Sequence, residues 1–249
     1  MTNDGIQRAR LYIGSFVACA VLTALSIAFL DRAVSSWSHA VLHRPAPLEW
    51  LTHIIDPFVP AASIALIGVA IAALFGWRPR PLGRTLIALC IAVLIATILK
   101  EELKYLFGRT WPETWIDKNP SWIHDGIYRF EPLHGGKGWA SFPSGHMTVI
   151  TAPCTVLWML ASRVWRWLWA ALILAVAVGL VASDYHFIGD MIGGTFLGWA
   201  CGVGAVALTA GLVMSEKPEH VPQTHGEANP LPQRSPQTHA ATLRQPPAS

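Results

Sequence analysis

The chain has 249 residues, of which 53% are hydrophobic and only 13% charged, against roughly 25% charged in an average soluble domain. That composition excludes an ordinary water-soluble domain and points to an integral membrane protein. The net charge of +3 is small, and the basic residues sit in short connections rather than on one face, so nucleic acid is not an expected partner.

A helix needs about 20 mostly apolar residues to cross about 30 Å of hydrocarbon. Runs of that kind fall at residues 11–30, 58–77, 82–100, 144–162, 165–183 and 188–214. The expected fold is all-α, a six-transmembrane-helix bundle, because an open strand in lipid would leave its backbone groups unpaired. The first run is long for the core of a signal peptide and is followed by Asp31-Arg32 instead of a small-residue cleavage site, so it reads as a retained anchor. Cys19, Cys90, Cys154 and Cys201 all lie inside apolar runs and read as packed or lipid-facing thiols rather than disulfides or metal ligands. No metal or cofactor is expected.

Arginines set the orientation. Arg8 and Arg10, then Arg78, Arg80 and Arg84, then Arg163 and Arg166 mark cytoplasmic segments, which puts both chain ends inside. The connections after the first, third and fifth spans then lie on the outer, periplasmic face of a bacterial inner membrane. The third-to-fourth connection, residues 101–142, is longer than most and carries Trp111, Trp115, Trp122 and Trp139, expected as a surface cap or as plain interfacial anchors. Residues 1–214 read as one membrane domain. Residues 215–249, rich in Pro, Gln and His, read as a disordered cytoplasmic tail whose His220, His225 and His239 face solvent.

Three polar segments converge on the outer face. In the first, Lys104 and Arg109 follow the third span and can reach an anion there; alone, such residues are usually snorkelling anchors. In the second, Pro143-Ser144-Gly145-His146 opens the fourth span, where Ser144, Gly145 and the free amides of a helix start can seat an anion. His146 beside that seat can protonate a leaving oxygen; the plainer reading is a capped helix start with a stray histidine. In the third, His186 and Asp190 are four apart between the fifth and sixth spans, so a carboxylate can orient the imidazole and raise its nucleophilicity. A mere interhelical hydrogen bond is the alternative. Joint placement on one face points to phosphoryl transfer, in which positioning and charge do most of the work.

These motifs resemble the type 2 phosphatidic acid phosphatase superfamily, which includes membrane lipid phosphatases and soluble vanadium haloperoxidases. Its pattern is K-x(6)-R-P, P-S-G-H and S-R-x(5)-H-x(3)-D. The resemblance covers about residues 10–214 and implies His186 as nucleophile, Asp190 as its orienting carboxylate and His146 as general acid. It implies Lys104, Ser144 and Gly145 as phosphate ligands, with Arg109 matching a further arginine of many membrane members. Two arginines of the pattern are absent, with Trp111 standing before Pro112 and Gly179-Leu180 in place of Ser-Arg. The charge would then come from Lys104, Arg109 or a loop cation such as Lys137 or Arg129. The expected activity is metal-independent hydrolysis of a lipid phosphate ester or isoprenoid diphosphate through a phosphohistidine. A lipid phosphotransferase and a degenerate lipid-binding membrane protein are the alternatives. The sequence names neither the lipid nor the oligomeric state.

Overall fold

A computed structural model describes residues 3–115, 118–160 and 162–214. The expected tail at 215–249 lies outside the described residues. The first apolar run does not stop at residue 30. Helix α1 (Asn3–Leu25) passes through one π turn, Ser26–Leu30, into α2 (Asp31–Leu42), and Gly5–Leu42 forms a continuous span of 38 residues. A π turn brings residues five apart onto one face, and here it lets the Ser26 hydroxyl donate to Asp31 at 2.6 Å. Left-handed His43 and Arg44, with φ of 51° and 54°, end that span.

The chain then makes a short helix α3 (Ala46–Glu49) and a 3-10 segment (Trp50–Ile55) before α4 (Phe58–Leu74). Helix α5 (Pro81–Phe107) opens on proline, whose missing N–H costs nothing at a first helical turn, and closes at Gly108. That glycine has φ +56°, and a Cβ there would lie 1.8 Å from the Glu131 carbonyl oxygen, so the helix end and the start of the outer loop require it. A short helix α6 (Trp122–Asp125), capped by the Ser121 side chain, lies in the loop. Helices α7 (Gly145–Leu160), α8 (Arg163–Ala182) and α9 (Ile188–Met214) complete the bundle.

The structure is all-α, with five helical stretches long and apolar enough to cross a membrane and one shorter apolar helix, α7. The fourth expected span, 144–162, is that shorter helix. Its 16 residues rise about 24 Å at 1.5 Å each, less than the hydrocarbon thickness. The difference has a positional cause: Gly145 stands beside Lys100 and Lys104, whereas α5 continues past them to Phe107. Helix α7 therefore starts from the floor of a depression in the bundle. It is also the most enclosed helix, buried continuously from Met147 to Val156.

Helices α7 and α9 pack backbone against backbone. Gly194, Gly198 and Gly202 line one face of α9, and a Cβ on them would lie 2.4 Å from Ser144 O, 2.5 Å from Thr148 O and 2.6 Å from Ala152 O. Small residues at i, i+4 spacing are how helices approach closely where lipid removes the hydrophobic drive between them. Ala88, Ala92 and Ala96 of α5 meet Ala152 and Ala205 in the same way. Large apolar side chains such as Phe16, Ile64, Leu74 and Leu208 are left outward, as lipid allows. The register set by the glycine face holds the start of α7 against the start of α9, where the polar residues gather.

Candidate active site

Four segments meet at the head of the bundle around a cavity of about 270 Å³. The last turns of α5 give Lys100 and Lys104, the start of α7 gives Gly145 and His146, the turn before α9 gives Tyr185 and His186, and the approach to α4 gives Asp56. Trp111 of the outer loop closes it.

His186 is 4% exposed. Its ring lies 5.1 Å from Trp111, 5.3 Å from Tyr185 and 5.9 Å from His146, centroid to centroid. Its Nδ1 stands 3.5 Å from Asp190 Oδ2 and makes no well-formed hydrogen bond among the described residues. Burial lowers the imidazole pKa; Asp190 pulls it up, but Lys104 and Arg109 add to the lowering, and the net shift is downward. The ring is thus kept neutral, the form in which its free nitrogen can attack.

Asp190 is completely buried and anchored on three sides. Ser141 donates to Oδ2 at 2.6 Å and the Phe187 amide donates to it at 3.1 Å, while Arg109 donates to Oδ1 at 2.5 Å. Arg109 therefore does not stand where a phosphate would lie. It is 1% exposed, and its second terminal nitrogen donates to Asp31 at 2.5 Å and to Tyr128 Oη at 2.8 Å. Rings of Phe187, Phe130 and Tyr128 lie 4.5, 4.8 and 5.2 Å from its guanidinium carbon. Burial works against its charge, but the Asp190 and Asp31 carboxylates outweigh it and raise the pKa. The expected ligand is instead the strut behind the His186–Asp190 pair.

Asp31, which sequence reasoning passed over as the residue ending an anchor, is part of the same interior network. It has no exposure, accepts from Ser26 at 2.6 Å and from the Gly189 amide at 2.8 Å, and takes a further bond from Tyr128 at 3.1 Å. One buried guanidinium is shared between two buried carboxylates, one from the first span and one from the last. Buried charges persist only when paired and hydrogen-bonded in this manner.

Ser144 is also displaced from its expected part. It is fully buried, its amide donates to the Asp190 carbonyl oxygen at 3.0 Å and its hydroxyl accepts from the Met147 amide at 3.4 Å. It caps α7 and does not line the cavity. The Gly145 and His146 amides are the orphan donors of that helix start. Facing them, the Lys104 Nζ would stand 3.4 Å from a Cβ on Gly145, and it has no ion pair or hydrogen bond among the described residues. Lys100, one turn earlier on the same face, reaches the cavity too and pairs with Glu101. The signal for Lys100 was its i, i+4 spacing from Lys104.

Neither alternative loop cation lines this cavity. Arg129 pairs with Glu131 at 3.0 Å, and Lys137 borders a neighbouring cleft with Lys104 and His134. Leu180 lies in an apolar cluster with Met147, Ile150 and Val176. Trp111 is 6% exposed and donates its indole N–H to the Lys137 carbonyl at 2.8 Å, tying the loop over His186. Trp115 packs against Tyr185, its ring 5.2 Å away and tilted by 44°, and donates to the Asp184 carbonyl. Trp111 roofs the site and Trp115 backs its Tyr185 wall, while Trp122 bonds Ser36 on α2. The four cysteines are free thiols.

A multi-pass helical bundle in which two histidines, an amine and the open amides of a helix start surround one cavity, with a buried carboxylate behind one histidine, is a membrane protein with the groups that phosphate chemistry uses. The PAP2 superfamily model matches residues 85–213, more than half of the chain, and the chain belongs to that superfamily. It is also similar to a solved protein described as the first transmembrane PAP2 type phosphatidylglycerolphosphate phosphatase from Bacillus subtilis. That likeness has 19% identity over 84% of this chain and 98% of the other, with a TM-score of 0.49, too distant to carry anything over. Among curated proteins no sequence matches this chain significantly. Asp31 and Asp56 lie outside the matched segment.

Proposed function

We propose that the protein is a lipid phosphate phosphatase that works through a phosphohistidine on His186. The observation that supports this best is the convergence of an unpaired Lys104 amine, the open amides of Gly145 and His146, and both histidine rings on one cavity. The phosphoryl oxygens rest against Lys104, Lys100 and the helix start, where charge and amide donors suit an anion. His186 attacks phosphorus through its Nε2, and the bond from phosphorus to the ester oxygen breaks. His146 gives its proton to that oxygen, releasing the alcohol from a monoester or the lipid monophosphate from a diphosphate. Asp190 balances the positive charge on the phosphorylated imidazole. His146, now neutral, takes a proton from water as that water attacks phosphorus, and inorganic phosphate leaves with His186 restored. No step uses a metal ion.

The substrate is a lipid phosphate monoester or an isoprenoid diphosphate, presented from the outer leaflet of a bacterial inner membrane, with both chain ends cytoplasmic. The test is phosphate release in detergent, without added divalent metal, from phosphatidic acid, phosphatidylglycerol phosphate, undecaprenyl diphosphate and lipid A phosphate. Release lost in His186→Ala supports the proposal. Release equal in His186→Ala overturns the phosphohistidine route, and release from none of these lipids overturns the phosphatase reading in favour of a binding protein or a transferase lacking its acceptor.

A further inference from the structure

The cavity is not uniformly basic. Its wall carries Asp56, at the turn leading into α4, between Ile55 and the neighbouring Val59. The His53 Nδ1 lies 2.9 Å from Asp56 Oδ2, while Oδ1 has no hydrogen bond among the described residues. No lysine or arginine pairs with this carboxylate among those residues, and its side chain is 62% exposed at the cavity mouth. Its charge reaches inward: burial, and after it the Asp56 carboxylate, raise the Tyr185 phenol above its ordinary value.

Deeper in the cavity, positive charge is scarce. Of the two amines, Lys100 is paired with Glu101, and the nearby guanidinium of Arg109 is consumed by Asp31 and Asp190. A phosphate monoester carries close to two negative charges at neutral pH, and Lys104 is the one lysine or arginine lining the cavity without an ion pair among the described residues, with the acid His146 beside it. A carboxylate at the mouth whose one partner is the His53 imidazole makes that balance worse for a purely anionic substrate. It suits a substrate that brings a cation of its own.

The placement agrees with the charge. With the phosphoryl group against Lys104 and Gly145 and the ester oxygen toward His146, the carbons next to the ester run along the wall formed by Ile55, Asp56, Val59 and Val149. Three of those are apolar and suit a hydrocarbon chain; the fourth is an acceptor. We propose that Asp56 is the recognition site for an ammonium group on the substrate itself, making the preferred substrate class lipid phosphate monoesters with a protonated amine a few bonds from the ester oxygen. This rests on the phosphatase reading above. A diacylglycerol phosphate offers only ester carbonyls at that position, and these cannot donate to a carboxylate.

The test compares sphingosine 1-phosphate with ceramide 1-phosphate, which share phosphate and backbone and differ in whether the amine is charged or acylated, with dioleoyl phosphatidic acid as a third substrate. Full-length protein in detergent is expected to show kcat/KM about two- to fivefold higher for the free amine, the scale of a partly exposed ion pair. The ratio falls to about one in Asp56→Asn and persists in Asp56→Glu. A ratio near one in the unmodified protein, or a ratio unaltered in Asp56→Asn, overturns the assignment while leaving the phosphatase reading standing. No phosphate from any of the three lipids overturns the assignment, and the phosphatase reading falls with it when the four lipids named above are silent as well.

Discussion

Replacing Asp31 tests the interior network behind the nucleophile, because Asp31 does not line the cavity and belongs to no motif. Its carboxylate receives bonds from Ser26, Arg109, Tyr128 and the Gly189 amide. Tyr128 also reaches the Ile27 carbonyl at 2.9 Å and Ser26 can turn back onto its own helix, so Arg109 and Gly189 lose the most. Breaking one side of a buried ion network costs about 3–5 kcal/mol, so Asp31→Ala should unfold at markedly lower temperature in detergent. Asp31→Asn keeps the shape but offers one accepting oxygen where four donors converge, and charge-assisted bonds are worth about 1.5–3 kcal/mol each against about 1 kcal/mol for neutral ones. Its loss should be at least about 2 kcal/mol. Because Gly189 and Arg109 both adjoin Asp190, the same variant should misplace the carboxylate under His186. A displacement of about 1 Å costs about 100-fold in rate, so kcat should fall by one to two orders while KM stays near its original value. The assay is a thermal melt read beside kcat and KM for whichever lipid proves best. An Asp31→Asn protein with unaltered melting and unaltered kcat would refute the network as a support of the site.

Other variants separate ligands from struts. Lys104→Met should reduce phosphate release at least 100-fold with little loss of thermal stability, because Lys104 makes no hydrogen bond or ion pair among the described residues and meets only the Trp111 ring, 6.0 Å from its Nζ. Arg109→Met should lose both, and a stable but inactive Arg109→Met would return Arg109 to the role of direct ligand. Gly198→Val places a side chain where even a Cβ lies 2.5 Å from Thr148 O; overpacking of this kind costs about 1–3 kcal/mol or more, read as loss of folded protein on size exclusion. The acid limb of kcat/KM reports His186. Its folded pKa is lowered by burial, so the neutral nucleophile persists below the ordinary value of about 6.5 and activity should fall only as pH drops through a value under that. Asp190 raises the His186 pKa, so Asp190→Asn should move the limb to still lower pH while reducing the rate; a limb shifted upward would contradict the pairing.

Much of the architecture could be read in the sequence because lipid imposes long apolar runs, and the superfamily could be read because Pro143-Ser144-Gly145-His146 and the His186, Asp190 spacing are local patterns. What stayed hidden depends on distant residues. Arg109 looked like a phosphate ligand because its two carboxylates lie 78 and 81 positions away, and nothing local distinguishes an interior guanidinium from a cavity one. Asp31 looked like a helix stop, yet a π turn carries the helix through it. The α5 helix was expected to end near residue 100, where charges begin, but it continues for two turns with Lys100 and Lys104 facing inward. Ser144 sits in the motif but spends its hydroxyl on capping, which sequence cannot tell from ligation.

The central claim is that phosphorus is transferred to His186. A labelled lipid phosphate should be mixed with the protein, quenched in alkali, in which phosphohistidine survives, and the attached label mapped by peptide. The account predicts label on the peptide containing His186 and none in His186→Ala. Label on any other residue, or phosphate release that continues in His186→Ala, would contradict it.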